Sequence, residues 1–261
     1  MSGMLMLSGG FEHTDPHMTA DRVLLDSLET SSPRVAVVPA ASSARKQPTV
    51  ATVAKRYWSQ LGVAVDVVTV DPTGQHTDGA ASVDPPPAIR EADLIVLTGG
   101  NPTRLVATTA TTLWPHIAER WRKGAAVSGS SAGAMVLCDW RQQVTPPRPL
   151  RVVRAFGMVR GCAAAPHFNR PVVRRWTIAA SRVHPHLTIL GVEECTALLG
   201  RDRQFTVYGT GAVTVVRAGK ATRYEAGSRI SLELDGTRSM SRLARRRAPD
   251  DDEPHDLVPA R

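Results

Sequence analysis

The chain has 261 residues, 42% of them hydrophobic and 21% charged, which is enough apolar material for a sizeable core and excludes disordered and collagen-like classes. No apolar run approaches the roughly 20 residues of a membrane span, and residues 1–10 have neither the basic start nor the apolar length of a signal peptide, so a cytoplasmic location with no membrane partner is expected. The formal net charge of +8 raises nucleic acid as a partner.

In chain order, apolar runs that read as buried strands alternate with helical patterns through the first 140 residues, which favours a mostly parallel sheet with helices on both faces. Residues 34–38 form a short strand run ending in the small loop 39–43. A helix follows over residues 50–61, with Val53, Tyr57, Trp58 and Leu61 at three- and four-residue spacing. Residues 63–70 read as the next strand, 71–87 as a Pro/Gly/Asp-rich loop, 94–98 as a third strand and 125–128 as a fourth. Leu105, Thr109, Leu113, Ile117 and Trp121 recur every four residues as one helical face, and Pro115 kinks or divides that helix. Pro146, Pro147 and Pro149 mark a loop, and residues 171–183 read as a helix. Residues 188–192, 197–199, 205–208, 212–216 and 222–224 are short strands at the far end of the sheet. With no internal repeat, residues 1–243 read as one domain, and the charged stretch 244–261 as a disordered tail.

Chemistry concentrates at three places. Gly129-Ser130-Ser131-Ala132-Gly133 fits G-x-S-x-G between a strand and a helix, the setting of a nucleophile elbow, in which Ser131 projects above the sheet and Ala132 N–H can face an oxyanion. Thr98-Gly99-Gly100-Asn101-Pro102 also opens a helix. Asn101 is a natural N-cap there and Pro102 suits the first helical turn, while Gly99 or Gly100 could supply a second oxyanion N–H. A serine nucleophile needs a base and an acid to orient it. Of eight histidines, His13, His17, His76 and His255 fall in loops or tails and His116 on a helix face, whereas His167 follows the buried strand run 162–166, on the rim where the elbow emerges. For the acid, Glu193 and Glu194 both end the strand 188–192. Cys138, Cys162 and Cys195 lack paired C-x-x-C spacing, so neither disulfides nor a metal site is expected, and no cofactor is called for.

Together, Thr98-Gly-Gly-Asn101, residues 129–134, Pro166-His-Phe168 and residues 191–197 resemble the serine peptidase family that contains cyanophycinase and dipeptidase E, in order and approximate spacing from about residue 34 to 208. The resemblance implies a three-layer α/β fold of the class I glutamine amidotransferase type, with Ser131 as nucleophile, His167 as general base, Glu194 as orienting acid, and Gly100 and Ala132 as oxyanion donors. It implies hydrolysis of a peptide or isopeptide bond through an acyl-enzyme. Pro102 and Pro166 stand where the cyanophycinase branch has glutamines, which removes side-chain amides and argues against cyanophycin as substrate. Proline before His-Phe is closer to the dipeptidase E branch, whose members cut after an N-terminal aspartate. The stretch 141–149 after the elbow contains no acid, which leaves Glu194 as the orienting residue.

The charge distribution points the same way. Residues 140–192 hold nine arginines and no Asp, Glu or Lys, whereas the rest of the chain is nearly neutral. Because His167 lies inside that segment, its charge is read as a device for a small acidic, aspartyl-containing peptide rather than for nucleic acid, with Arg170 and Arg174 as the nearest carboxylate grips and Asn101 as a further substrate-binding candidate. A homodimer is compatible with this reading. Two alternatives stand beside it: a decayed amidotransferase-like binding protein, and an esterase-like α/β-hydrolase, which would need a late histidine such as His255.

Overall fold

The structure is a computed structural model that describes residues 2–71, 85–143 and 151–232. In chain order these form β1 (Leu5–Ser8), a 3-10 turn (Asp15–His17), α1 (Met18–Asp26), β2 (Arg34–Val38), α2 (Gln47–Gln60), β3 (Ala64–Val67), α3 (Pro87–Glu91), β4 (Leu94–Leu97), α4 (Pro102–Thr109), α5 (Trp114–Arg122), β5 (Ala126–Ser130), α6 (Ala132–Leu137) and β6 (Cys138–Gln142). There follow β7 (Val152–Arg154), β8 (Val159–Ala165), α7 (Pro171–Val183), β9 (Thr188–Val192), β10 (Thr196–Arg201), β11 (Gln204–Gly209), β12 (Ala212–Arg217), β13 (Lys220–Glu225) and β14 (Arg229–Ser231). Most of the predicted loop 71–87, the proline loop after Val144, Arg148, His76, His255 and the charged tail lie outside the described residues.

The strands make two sheets where the sequence predicts one. The first runs β14-β11-β10-β1-β5-β4-β2-β3, and its five strands from β1 to β3 are parallel. The second runs β13-β12-β9-β8-β6-β7, with β6, β8 and β9 parallel. The late strands are therefore divided between them: β10, β11 and β14 form the antiparallel edge of the first sheet, and β9, β12 and β13 belong to the second.

Period-2 alternation explains how the first sheet is covered on both faces. Met6, Val35, Val37, Leu94 and Val96 face α1 and α2, packing on Leu24, Ala54, Tyr57 and Trp58. Leu5, Leu7, Ala36, Val38, Ile95 and Leu97 face the other way, into a core shared with Leu105, Leu113, Ile117, the buried helix α6 and the second sheet's Cys162, Ala164, Leu190 and Val192. The second sheet's other face carries Ala163, Ala165, Ile189 and Val216, which α7 covers with Ile178 and Ala180.

One helical detail differs from expectation, and a second decides between two stated alternatives. The buried face of α2 runs through Ala54, Tyr57 and Trp58, and Val53 is 48% exposed. Of the two outcomes expected of Pro115, the helix is divided and not kinked: Pro115 stands in the first turn of α5, where its missing N–H has no intrahelical role.

Candidate active site

β5 and α6 meet at Ser131, whose φ of 48° and ψ of −105° make the strained turn of a nucleophile elbow. The flanking glycines are required by close approach. A Cβ on Gly129 would stand 2.4 Å from the carbonyl carbon of Gly133, and one on Gly133 would stand 2.2 Å from Leu97 O. Ser131 N–H donates to Ser8 O at 3.0 Å, which ties the turn to β1.

His167 follows β8 and comes from the second sheet. Its backbone N–H donates to Gly9 O at 2.9 Å, and its side chain bridges the two other predicted residues. Ser131 Oγ lies 3.0 Å from His167 Nε2, and His167 Nδ1 lies 2.8 Å from Glu194 Oε1. Of the two glutamates after β9, Glu193 is bound elsewhere: it accepts from Ala212 N–H at 3.0 Å and pairs with Arg223. Glu194 accepts from Asn169 Nδ2 at 2.9 Å and from Arg170, whose Nη2 is 2.7 Å from Oε1. Desolvation alone would raise the Glu194 pKa, but hydrogen bonds from Asn169, His167 and Arg170 outweigh it and hold the carboxyl below its usual range. An ionised carboxylate on Nδ1 favours the tautomer that leaves Nε2 free to accept the Ser131 proton.

Around the oxyanion position, Ala132 N–H opens α6, and neither it nor Gly100 N–H meets a protein acceptor among the described residues. Gly99 N–H, the alternative donor, is occupied: it donates to Glu12 Oε1 at 2.6 Å. Asn101 caps α4, its side-chain oxygen accepting from Arg104 N–H at 2.9 Å. Arg170 is exposed but bonded to Glu194, because it sits at the N-cap of α7, three residues past His167 and facing the same carboxylate. Arg174 is exposed, its guanidinium 6.0 Å from the Phe168 ring centroid. Within the arginine-rich segment, Arg154 also pairs with an acid, Asp139, and Arg141 is buried with Nη1 3.1 Å from Thr103 Oγ1.

The sequence reading overlooks the loop after β1. There Glu12 reaches the elbow, its Oε2 accepting from Ser130 Oγ at 2.6 Å. His17, read as a loop residue, is 2% exposed and lies between Ser8 Oγ at 2.6 Å and Asp21 Oδ2 at 2.9 Å, with Tyr57 also donating to Asp21. This second Ser-His-Asp chain is closed to substrate, since Ser8, His17 and Asp21 are all at most 3% exposed, and it braces β1 against α1 and α2. The available signal for the loop is Ser8-Gly9-Gly10 directly after the apolar run 4–7, a strand-then-glycine pattern like that at the elbow.

Among the described residues no helix is long and apolar enough to cross a membrane. In sequence the chain is similar to the uncharacterized peptidase YgaJ of Bacillus subtilis (strain 168), with 26% identity over 172 residues that span 65% of this chain and 70% of the relative. In structure it is similar to a crystallised peptidase from an acI-B1 Actinobacterium, with a TM-score of 0.70 and 24% identity, covering 89% of this chain and 98% of the other. A candidate Peptidase E protein from Listeria monocytogenes EGD-e matches with a TM-score of 0.57 and 17% identity over 81% of this chain and 100% of the other. Residues 4–208, which include the elbow, His167 and Glu194, match the model of peptidase family S51, and the chain belongs to that family.

Proposed function

We propose that the protein is a serine peptidase with a class I glutamine amidotransferase-like fold, which hydrolyses a peptide or isopeptide bond of a small acidic peptide. The observation that carries this reading is the continuous hydrogen-bonded chain from Ser131 through His167 to Glu194 at a strained elbow. His167 Nε2 takes the Ser131 proton as Oγ attacks the amide carbonyl, and Glu194, remaining ionised, steadies the imidazolium. Ala132 and Gly100 N–H groups receive the oxyanion, each such donor lowering the barrier by on the order of 3 kcal/mol. Protonated His167 then releases the amine, and water completes the turnover. An α/β-hydrolase triad with a late histidine does not fit this arrangement, because His167 already occupies the position of the base.

Acid preference rests on the arginines around His167. Arg174 is exposed beside Phe168, the residue that follows His167, and is the guanidinium this reading assigns to a substrate carboxylate. Pro102 and Pro166 offer no side-chain amide, and cyanophycin is not the substrate proposed. A mixed dipeptide and isopeptide library is incubated with wild type and Ser131→Ala; the expected outcome is release of acidic residues by wild type alone. Equal background release by both would refute the peptidase reading.

A further inference from the structure

Acyl transfer by Ser131, His167 and Glu194 leaves Glu12 without a task, although its carboxylate stands beside the elbow. The position a Gly99 Cβ would take is 2.8 Å from Glu12 Oε1 and 3.4 Å from Ser131 Cβ. The carboxylate receives neutral donors only: Gly99 N–H and Ser130 O–H, each at 2.6 Å, and its own backbone N–H. Desolvation opposes its ionisation, but those hydrogen bonds prevail and keep it below the usual carboxylate range. No Lys or Arg pairs with it among the described residues; its neighbour His13 is pushed toward the neutral form by burial and accepts from Trp58 Nε1 at 3.3 Å. The loop is held in this shape against backbone preference, with Phe11 at φ 63° and His13 at φ 60°.

A fixed anion beside the elbow opposes the negative charge that develops on a carbonyl under attack at Ser131, unless a cation is placed between them. A substrate can bring one. The α-nitrogen of the residue under attack is two bonds from the carbonyl carbon, about 2.5 Å away by covalent geometry, so a carbonyl seated on Ser131 carries its own α-ammonium into the gap toward Glu12. With Gly99, Ser130 and its own backbone N–H served, the carboxylate still has an acceptor site left for it. We propose that Glu12 binds the free α-ammonium of the substrate residue whose carbonyl Ser131 attacks, and so selects peptides with an unblocked first residue. This rests on Ser131 being the nucleophile. A merely structural Glu12, pinning Gly99 and Ser130, would be indifferent to that amine.

The test uses diphenyl phosphonate analogues of aspartate and of alanine, each with the α-amine free and acetylated, as inactivators of wild type and Glu12→Gln; a fluorophosphonate counts competent Ser131 in every preparation. Glutamine keeps an acceptor for Gly99 N–H and loses the charge. Wild type is expected to react about tenfold or more faster with the free amine, the scale of a charge-assisted hydrogen bond, and Glu12→Gln to bring that ratio to about one. Equal rates for free and acetylated probes in wild type overturn the proposal without any variant, and so does a preference that survives in Glu12→Gln. Failure of the fluorophosphonate to label wild-type Ser131 overturns the acyl-transfer reading itself, and Glu12's role with it.

Discussion

Gly10 leaves room for the His167 imidazole by having no side chain. At φ 116° it lies against His167, and a Cβ there would stand 2.5 Å from Cε1 and 3.1 Å from Nδ1, where ordinary contact begins at 3.4 Å. In Gly10→Ala the imidazole must withdraw by about 1 Å. The ring has little room to do so, being held by Glu194 at 2.8 Å on a backbone whose His167 N–H donates to Gly9 O at 2.9 Å. The 3.0 Å contact with Ser131 Oγ then opens beyond hydrogen-bond reach. A misplacement of about 1 Å costs on the order of 100-fold in rate, and the positive φ adds roughly 1–2 kcal/mol of instability for a residue with a Cβ. Gly62→Ala separates the two effects, since Gly62 has φ 77° and nothing within 4 Å of its Cβ position. Thermal unfolding and the rate of fluorophosphonate labelling at Ser131 are measured on both. Similar losses of stability are expected, with the labelling rate collapsing only in Gly10→Ala. A folded Gly10→Ala that labels within a few-fold of wild type would refute the reasoning.

Glu194→Gln should lower turnover by about 10³- to 10⁴-fold, as loss of the orienting carboxylate does in serine triads, read from peptide release at neutral pH. Because the folded-state pKa of Glu194 is lowered, its stabilising contribution is complete above the unfolded carboxylate value of about 4.3 and is lost as pH falls through the folded value. The gap in melting temperature between wild type and Glu194→Gln should therefore close on acidification from pH 7. Asn101→Ala should cost about 1 kcal/mol in denaturant unfolding as a lost N-cap; a large rise in KM with unchanged stability would instead make Asn101 a substrate contact.

The elbow was legible because its signal is local: a glycine on each side of a serine, between a strand and a helix, leaves few alternative geometries. His167 and Glu194 were legible by position at strand ends, and the family resemblance selected Glu194 over Glu193. The structure shows the physical basis of that choice, since Glu193 faces β12 and Arg223 while Glu194 faces the elbow. Arg170 was legible as a neighbour of His167 but not as a ligand of Glu194, because that pairing joins residues 24 apart through a turn between α7 and β9. The division into two sheets was hidden for a similar reason: whether a short strand such as β10 joins β1 or β9 depends on nonlocal pairing that its own pattern does not encode. Glu12 was missed because β1 has only four residues, and a single glutamate in a loop carries no periodicity.

Ser131 belongs to the first sheet, His167 follows β8 of the second, and Glu194 lies where the chain passes from β9 in the second sheet to β10 in the first. The hydrogen-bonded chain thus crosses from one sheet to the other between Ser131 and His167 and ends on the connection that joins them, and the gap from Ser131 Oγ to His167 Nε2 acts as a gauge of how closely the seam is shut. Anything that pries the sheets apart by a fraction of an ångström, whether heat, denaturant or a swollen core residue, would silence the serine well before the chain unfolds, so inactivation should precede melting.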